Sequence, residues 1–207
     1  MTNPIRAQFL FKMKDLPKPT VVLITGYARA GKDTLFQGMF RGSKAAPIHI
    51  NFASFLKSAA DSFLNHLEIE ETFEDEQFKV KHRNTLVALG KFARSINRDV
   101  FADQFVALAQ YYQKDCSRAG IPLRPIICSD WRYVNEYQVV RHKLMPTFRV
   151  ITVRVNTFGI EAANEEEGLS IGEITREIPL DYEFTFKPNS KDYILKAGEE
   201  LARTIAL

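Results

Sequence analysis

Gly26-Tyr27-Ala28-Arg29-Ala30-Gly31-Lys32, followed by Asp33-Thr34, is the stretch of this chain with the clearest chemistry. Two glycines five positions apart let a backbone curl so that its N–H groups point inward, and a lysine directly after the second adds a mobile positive charge. If a helix starts at Lys32, its N-terminus adds a further partial charge, and the whole becomes a cradle for a polyphosphate, the P-loop pattern. Gly26, Ala28, Arg29, Ala30, Gly31, Lys32, Asp33 and Thr34 are the expected contacts. A serine or threonine ordinarily follows the lysine and holds Mg²⁺; here Asp33, directly or through water, or Thr34 must do so. The bland alternative is a glycine turn with an exposed lysine.

A protein that moves a phosphoryl group between phosphorylated molecules must neutralise both, so arginines should converge from several segments on one cleft. Arg83, Arg94 and Arg98 are candidates, although each alone also suits a solvated helix surface. Asp130 closes the apolar stretch Pro125-Ile126-Ile127-Cys128-Ser129, where a carboxylate can sit beside a metal or instead cap a helix. Arg132 and Glu136 follow it, and Lys57 is a weaker acceptor-side candidate. His49, His66, His82 and His142 have no metal-ligand spacing, and no Ser/His/Asp arrangement can be read. Cys116 and Cys128 form neither a disulfide framework nor a zinc pattern, which points to a reducing interior.

Positioning these groups requires a packed domain, and 207 residues with 45% hydrophobic content suffice for one core and argue against disorder. The formal net charge of +3 is too small to advertise a nucleic-acid binder but suits a small-anion site. Arg6, Lys12 and Lys14 interrupt the apolar residues before Pro19, so no secretory signal is read there, and no run approaches the roughly 20 apolar residues of a membrane helix. A cytoplasmic protein is expected.

Thr20 to Thr25 reads as a strand buried on both faces, and Lys32 to Phe40 as the helix after the loop. A short strand near Ile48-His49-Ile50 precedes a helical pattern from Phe52 to Leu67. Glu68 to Glu76 reads as a solvated connection or an exposed helix end, and helical patterns follow at Asn84 to Ile96 and Phe101 to Cys116. Then come a strand ending at Asp130, a helix from Tyr133 to Lys143 and a strand from Arg149 to Val155. A polar, Glu-rich segment at about 156–180 could be a lid, before a last strand, Tyr182 to Phe186, and a last helix, Lys191 to Ile205. Buried strands alternating with helices predict a parallel α/β sheet covered on both faces.

Several of these motifs resemble the bacteriophage deoxynucleoside monophosphate kinases, a P-loop family related to the wider nucleoside monophosphate kinases. The resemblance rests on Gly26 to Thr34 with its G-K-D-T ending; Phe52-Ala53-x-x-x-Lys57; Arg83 with Leu89-Gly90; Ser129-Asp130-x-Arg132-x-x-Asn135-Glu136; Val150 to Arg154; and Asn189-Ser190. Two departures stand out: Gly90-Lys91-Phe92 where relatives often carry Gly-Thr-Asp or Gly-Thr-Glu, and Glu173 to Glu177 where they carry His-x-Ser/Thr-Glu. A weaker similarity extends to phosphomevalonate and dephospho-CoA kinases.

The resemblance implies a three-layer P-loop kinase fold, a central parallel sheet flanked by helices with a small lid, as one domain over 20–207 after an extension over 1–19. It places an acceptor-binding helical region at about 52–118 and the lid at about 156–180. The implied activity is transfer of the γ-phosphoryl group of Mg-ATP to a deoxynucleoside monophosphate, with ATP and Mg²⁺ required. Lys32, Asp130, Arg132 and Arg154 would be catalytic; Lys57, Arg83, Arg94, Arg98, Arg132 and Glu136 would hold the acceptor. Arg176 would act from the lid, Asn189 beside adenine, and Asp33, Thr34 and Asp130 near the metal. Small nucleotides are the expected partners, with no nucleic acid or membrane, and pairing into a homodimer is left open. The alternatives are a P-loop kinase for another phosphorylated acceptor and a nucleotide-binding switch without acceptor chemistry.

Overall fold

The computed structural model describes residues 18–207. The expected N-terminal extension therefore lies outside the described residues except for Lys18 and Pro19.

Five strands, β1 (Thr20–Thr25), β2 (Ile48–His49), β3 (Ile126–Cys128), β4 (Arg149–Thr157) and β5 (Tyr182–Phe186), form one sheet in the order β2-β3-β1-β4-β5. Every pairing is parallel, with Val21 opposite Ile126 on one side and Val150 on the other. This is the α/β architecture that the alternation of buried strands and helices predicts. β1 is central and wholly buried. Its alternate side chains serve two cores: Val21 and Leu23 point to one, Val22 and Ile24 to the other.

The second core is closed by α1 (Lys32–Gly42) and α8 (Lys191–Thr204), through Leu35, Met39, Ile194 and Leu201. These helices cross at two glycines. A Cβ on Gly38 would lie 2.1 Å from the Leu195 carbonyl oxygen, and one on Gly198 would lie 2.4 Å from that of Leu35. The first core is closed by α2 (Phe52–His66), α5 (Val100–Ala119), α6 (Val134–Leu144) and α7 (Glu165–Glu177). α5 runs a turn beyond its expected end and stops at Gly120, whose φ of 67° terminates the helix in the left-handed conformation. α4 (Arg83–Ile96) lies outside α2, with Gly90 against Leu56.

Two segments carry more structure than their sequence suggests. The stretch Glu68 to Glu76 is not merely a solvated connection: Phe73 is buried, and Asp61 accepts hydrogen bonds from the Thr72 hydroxyl and the Phe73 amide. Asp75 then caps a short helix, α3 (Glu76–Lys81), by accepting from the Phe78 amide. The segment read as a lid consists largely of α7, anchored by Ile171, Ile174 and Ile178 in the first core. Its polar, glutamate-rich sequence hid that isoleucine spacing.

Because all strands run the same way, their carboxyl ends share one edge. Thr25, Cys128, Thr157 and Phe186 therefore deliver the glycine loop, Ser129-Asp130, the 158–164 loop and the 187–190 loop to the same side of the sheet. β1 is the strand from which the chain first departs toward β3 and later returns on the β4 side, so a crevice opens at its carboxyl end.

Candidate active site

The glycine loop leaves β1 at Gly26, which has a φ of 140° and no room for a side chain: a Cβ would sit 2.1 Å from the Val155 carbonyl oxygen. Arg29 adopts a φ of 65°, and α1 begins directly after Gly31. The Thr157 hydroxyl donates to the Ala30 carbonyl at 3.0 Å and ties the loop to β4. Lys32 folds back over the loop, its Nζ donating to the Gly26 and Tyr27 carbonyls at 2.8 Å each. Burial first, and then the nearby positive charge of Arg132, push the Lys32 ammonium below its ordinary pKa, while Glu167, Asp33 and Asp130 oppose the shift. A polyanion would relieve the repulsion between the two cations. Gly26 to Thr34 thus form a glycine loop that runs from the end of β1 into the N-terminus of α1.

Beside Lys32, the Ser129 hydroxyl donates to Asp33 Oδ1 at 2.7 Å. Ser129 has one proton to give, so the 2.9 Å contact with His49 requires His49 Nε2 to be the donor. Burial lowers the His49 pKa, which agrees with a neutral ring. Asn51 completes the bridge by accepting from the Ser129 amide at 2.9 Å.

Asp130 acts as a helix cap, one of the two roles its position after β3 allows. Its two oxygens accept from the Phe52 and Ala53 amides at 2.9 and 2.8 Å, so it caps α2 from across the sheet, and Cys128 Sγ lies 3.1 Å from Oδ1. Glu136, read as an acceptor contact, is turned inward. Its Oε2 accepts from the Arg132 and Tyr133 amides at 2.9 and 3.0 Å and shapes the turn that presents Arg132.

Burial pushes the Glu136 carboxyl up to about 8 from its ordinary 4.5, against the two amides that favour its charge. The folded state therefore holds this proton more tightly than the unfolded chain. The resulting stabilisation is complete below pH 4.5 and is lost as pH rises through about 8. Glu136→Gln, neutral throughout, should gain stability relative to the parent between those limits. Urea unfolding midpoints at pH 5, 7 and 9 measure it, and parallel profiles would refute a buried proton.

Arg132 reaches toward the loop, where Glu167 meets it. Glu167 Oε1 accepts from the Ala28 amide at 3.1 Å and lies 3.5 Å from Arg132 Nη2, while Oε2 accepts from the Ala163 amide at 2.8 Å. Arg94 stacks on the Tyr133 ring, with its Cζ 4.6 Å from the centroid, and Tyr133 donates to Glu166 Oε1 at 2.7 Å. Burial and that bond push the Tyr133 phenol up to about 12. Lys32, Asp33, Asp130 and Arg132 are thus brought together, with Arg94 adjoining through Tyr133.

The other candidates are more dispersed. Arg154 on β4 pairs with Glu183 at 3.4 Å and leaves its buried Nε without a partner among the described residues. Lys57 pairs with Glu74 at 3.3 Å. Arg83, Arg98 and Arg176 are exposed, Arg98 contributing its backbone carbonyl to Asn135 Nδ2 at 3.0 Å. Asn189, with a φ of 60°, sits in the loop before α8, whose Ile194 abuts Gly31 beside the cradle.

Sequence reasoning missed Glu166, Glu167 and the His49-Ser129 bridge. One signal was available for Glu167: Asn164-x-x-Glu167 is a helix-start pattern, and Asn164 does accept from the Glu167 amide at 2.9 Å.

Among the described residues no group of three His, Cys, Asp or Glu could enclose a metal. Magnesium needs no such cage, because one or two carboxylates together with substrate phosphates suffice. The donors fit that mode: among the described residues Asp33 has one oxygen bound to Ser129 and the other without a hydrogen bond, Thr34 follows it, and Asp130 lies close by.

No protein-family model and no curated protein matches the chain. Among solved structures, the chain is similar to an unliganded sugar kinase from Janibacter sp. HTCC2649, at 13% identity and a TM-score of 0.43, over 92% of this chain and 99% of that one. It is also similar to a candidate kinase from Chloroflexus aurantiacus, at 14% identity and a TM-score of 0.47, over 92% of this chain and 100% of that one.

Proposed function

We propose that the protein transfers the γ-phosphoryl group of Mg-ATP to the phosphate of a deoxynucleoside monophosphate. The observation that carries this reading is the placing of Lys32 and Arg132 beside the glycine loop, where the charge of Arg132 adds to burial in disfavouring the Lys32 ammonium. A single nucleotide could be held by the cradle and Lys32 alone. Arg132 and Arg94, on separate elements beside it, suit a second phosphorylated molecule.

In this mechanism the loop amides and Lys32 hold the β- and γ-phosphates, and the 187–190 loop with Asn189 borders the adenine. Mg²⁺ would supply charge neutralisation between those phosphates, held by Asp33 or Thr34 with Asp130 nearby. Arg132 and Arg94 orient the acceptor so that one of its phosphate oxygens attacks the γ-phosphorus. The bond from that phosphorus to the bridging oxygen breaks, and ADP leaves. No covalent enzyme intermediate is needed, since such transfer rests on positioning and charge stabilisation.

The test is ADP release from Mg-ATP with each deoxynucleotide and ribonucleotide monophosphate offered separately, and with phosphorylated non-nucleotides as controls. Stimulation by deoxynucleotides supports the reading; stimulation only by a non-nucleotide reassigns the acceptor. Arg132→Ala should raise KM for the acceptor about 10- to 100-fold, the loss of a charged hydrogen bond, with a smaller change for ATP. Equal losses for both substrates would remove Arg132 from the acceptor site.

A further inference from the structure

Two adjacent carboxylates at the start of α7 meet the basic residues of the cleft, and they are fastened in different ways. Glu167 is held by the Ala28 and Ala163 backbone amides and by Arg132, with 1% of its side chain exposed. Among the described residues, no backbone N–H reaches the Glu166 carboxylate. Its Oε1 accepts from the Tyr133 hydroxyl at 2.7 Å, its Oε2 lies 2.9 Å from Lys91 Nζ, and Arg94 Nη2 stands 4.0 Å away, with 35% of the side chain exposed.

Arg94, one of the groups around Glu166, does not depend on it for its place. Arg94 is braced between two aromatic rings, 4.6 Å from the Tyr133 centroid and 5.5 Å from that of Phe101, and its Nη2 is 3.3 Å from the Tyr133 hydroxyl. Lys91 lies almost one helical turn before Arg94 on α4. A guanidinium, an ammonium and a hydroxyl thus converge on one anion. A carboxylate satisfies them with two oxygens, whereas a phosphate monoester offers three and a greater charge.

We infer that Glu166 is an internal stand-in for the acceptor phosphate: the monophosphate binds by displacing this carboxylate from Lys91, Arg94 and Tyr133, while Glu167 stays fixed beside the loop. The inference rests on the transferase reading for the identity of the acceptor, but the exchange itself is a binding event that can be measured without turnover. It adds Lys91 and Tyr133 to the acceptor site. It also assigns Glu166 an autoinhibitory role, keeping the cations neutralised until a stronger anion competes.

The test is equilibrium binding of inorganic phosphate and of each deoxynucleoside monophosphate to the full chain and to Glu166→Gln at low salt, with ADP release measured in parallel. Glutamine retains an acceptor for the Tyr133 hydroxyl but no charge. Monophosphate affinity should rise roughly fivefold, the scale of removing one partly exposed ion-pair competitor, and Mg-ATP affinity should change less. Lys91→Gln, a change on the exposed face of α4, should weaken monophosphate binding by a similar factor.

Tighter monophosphate binding by Glu166→Gln supports the exchange. If that occurs without ADP release from any protein, the exchange stands and the transferase reading falls. ADP release with unchanged or weaker monophosphate binding in Glu166→Gln overturns the exchange and makes Glu166 a structural tie. Failure of both proteins to bind phosphate or any monophosphate also overturns it.

Discussion

Lys32→Ala is expected to lower turnover by at least about 10²- to 10³-fold, the loss typical for one preorganised charge-stabilising group, while the thermal midpoint barely moves. Lys32 gives its hydrogen bonds to two loop carbonyls, Gly26 and Tyr27. Its burial and the charge of Arg132 both disfavour its ammonium, so removing it also removes a repulsion. The fold therefore has little to lose, whereas a developing charge on a transferring phosphoryl group would lose its counterion. Steady-state ADP release beside a thermal melt separates the two effects. An unchanged rate would show that the loop does not hold the transferred group.

The largest effect on stability is expected at Gly198. On an exposed helix, Gly→Ala gains about 1 kcal/mol from propensity. Here the new Cβ would lie 2.4 Å from the Leu35 carbonyl oxygen, 2.8 Å from the Met39 amide nitrogen and 2.9 Å from Gly38 Cα. These are backbone atoms and cannot rotate away, so α1 and α8 must separate. Overpacking of this kind costs about 1–3 kcal/mol and outweighs the propensity gain. Gly198→Ala should therefore lower the melting temperature, by roughly 2–4 °C for each kcal/mol of net cost in a domain of this size. Gly172, in α7 with open space where its Cβ would be, provides the control: Gly172→Ala should be neutral or stabilising. If both substitutions stabilise the protein, the close crossing of α1 and α8 is wrong.

The contrast between these glycines shows where sequence reading stops. Gly26 and Gly31 were recognisable because a local spacing pattern gave them meaning, whereas Gly38 and Gly198 lie 160 positions apart and matter only where their helices touch. Asp130 is a similar case. Its position after a buried strand allowed either a metal-side carboxylate or a cap, but the helix it caps begins 78 residues earlier, at Phe52.

Glu166 and Glu167 belong to the same class. In sequence they are part of the acidic run Glu165-Glu166-Glu167, inside the segment read as a lid. In the fold, Ile171 and Ile174 anchor α7 and turn this run toward Arg132, Arg94 and the glycine loop. The acidic and glycine residues around them hid the isoleucine spacing, and the surface they bury against depends on α5 and α6 already covering the sheet.

By itself, the sequence determined the local features: the strand-loop-helix cradle from Thr20 to Phe40, the buried strands, and the parallel α/β class. These depend on interactions between near neighbours, namely hydrophobic periodicity, glycine conformation and helix starts. The tertiary structure alone decided which charges share the cleft, which carboxylates are consumed as caps, and which glutamate meets each cation. Those outcomes depend on contacts between residues far apart in the chain, where burial and the geometry of helix packing select the partner.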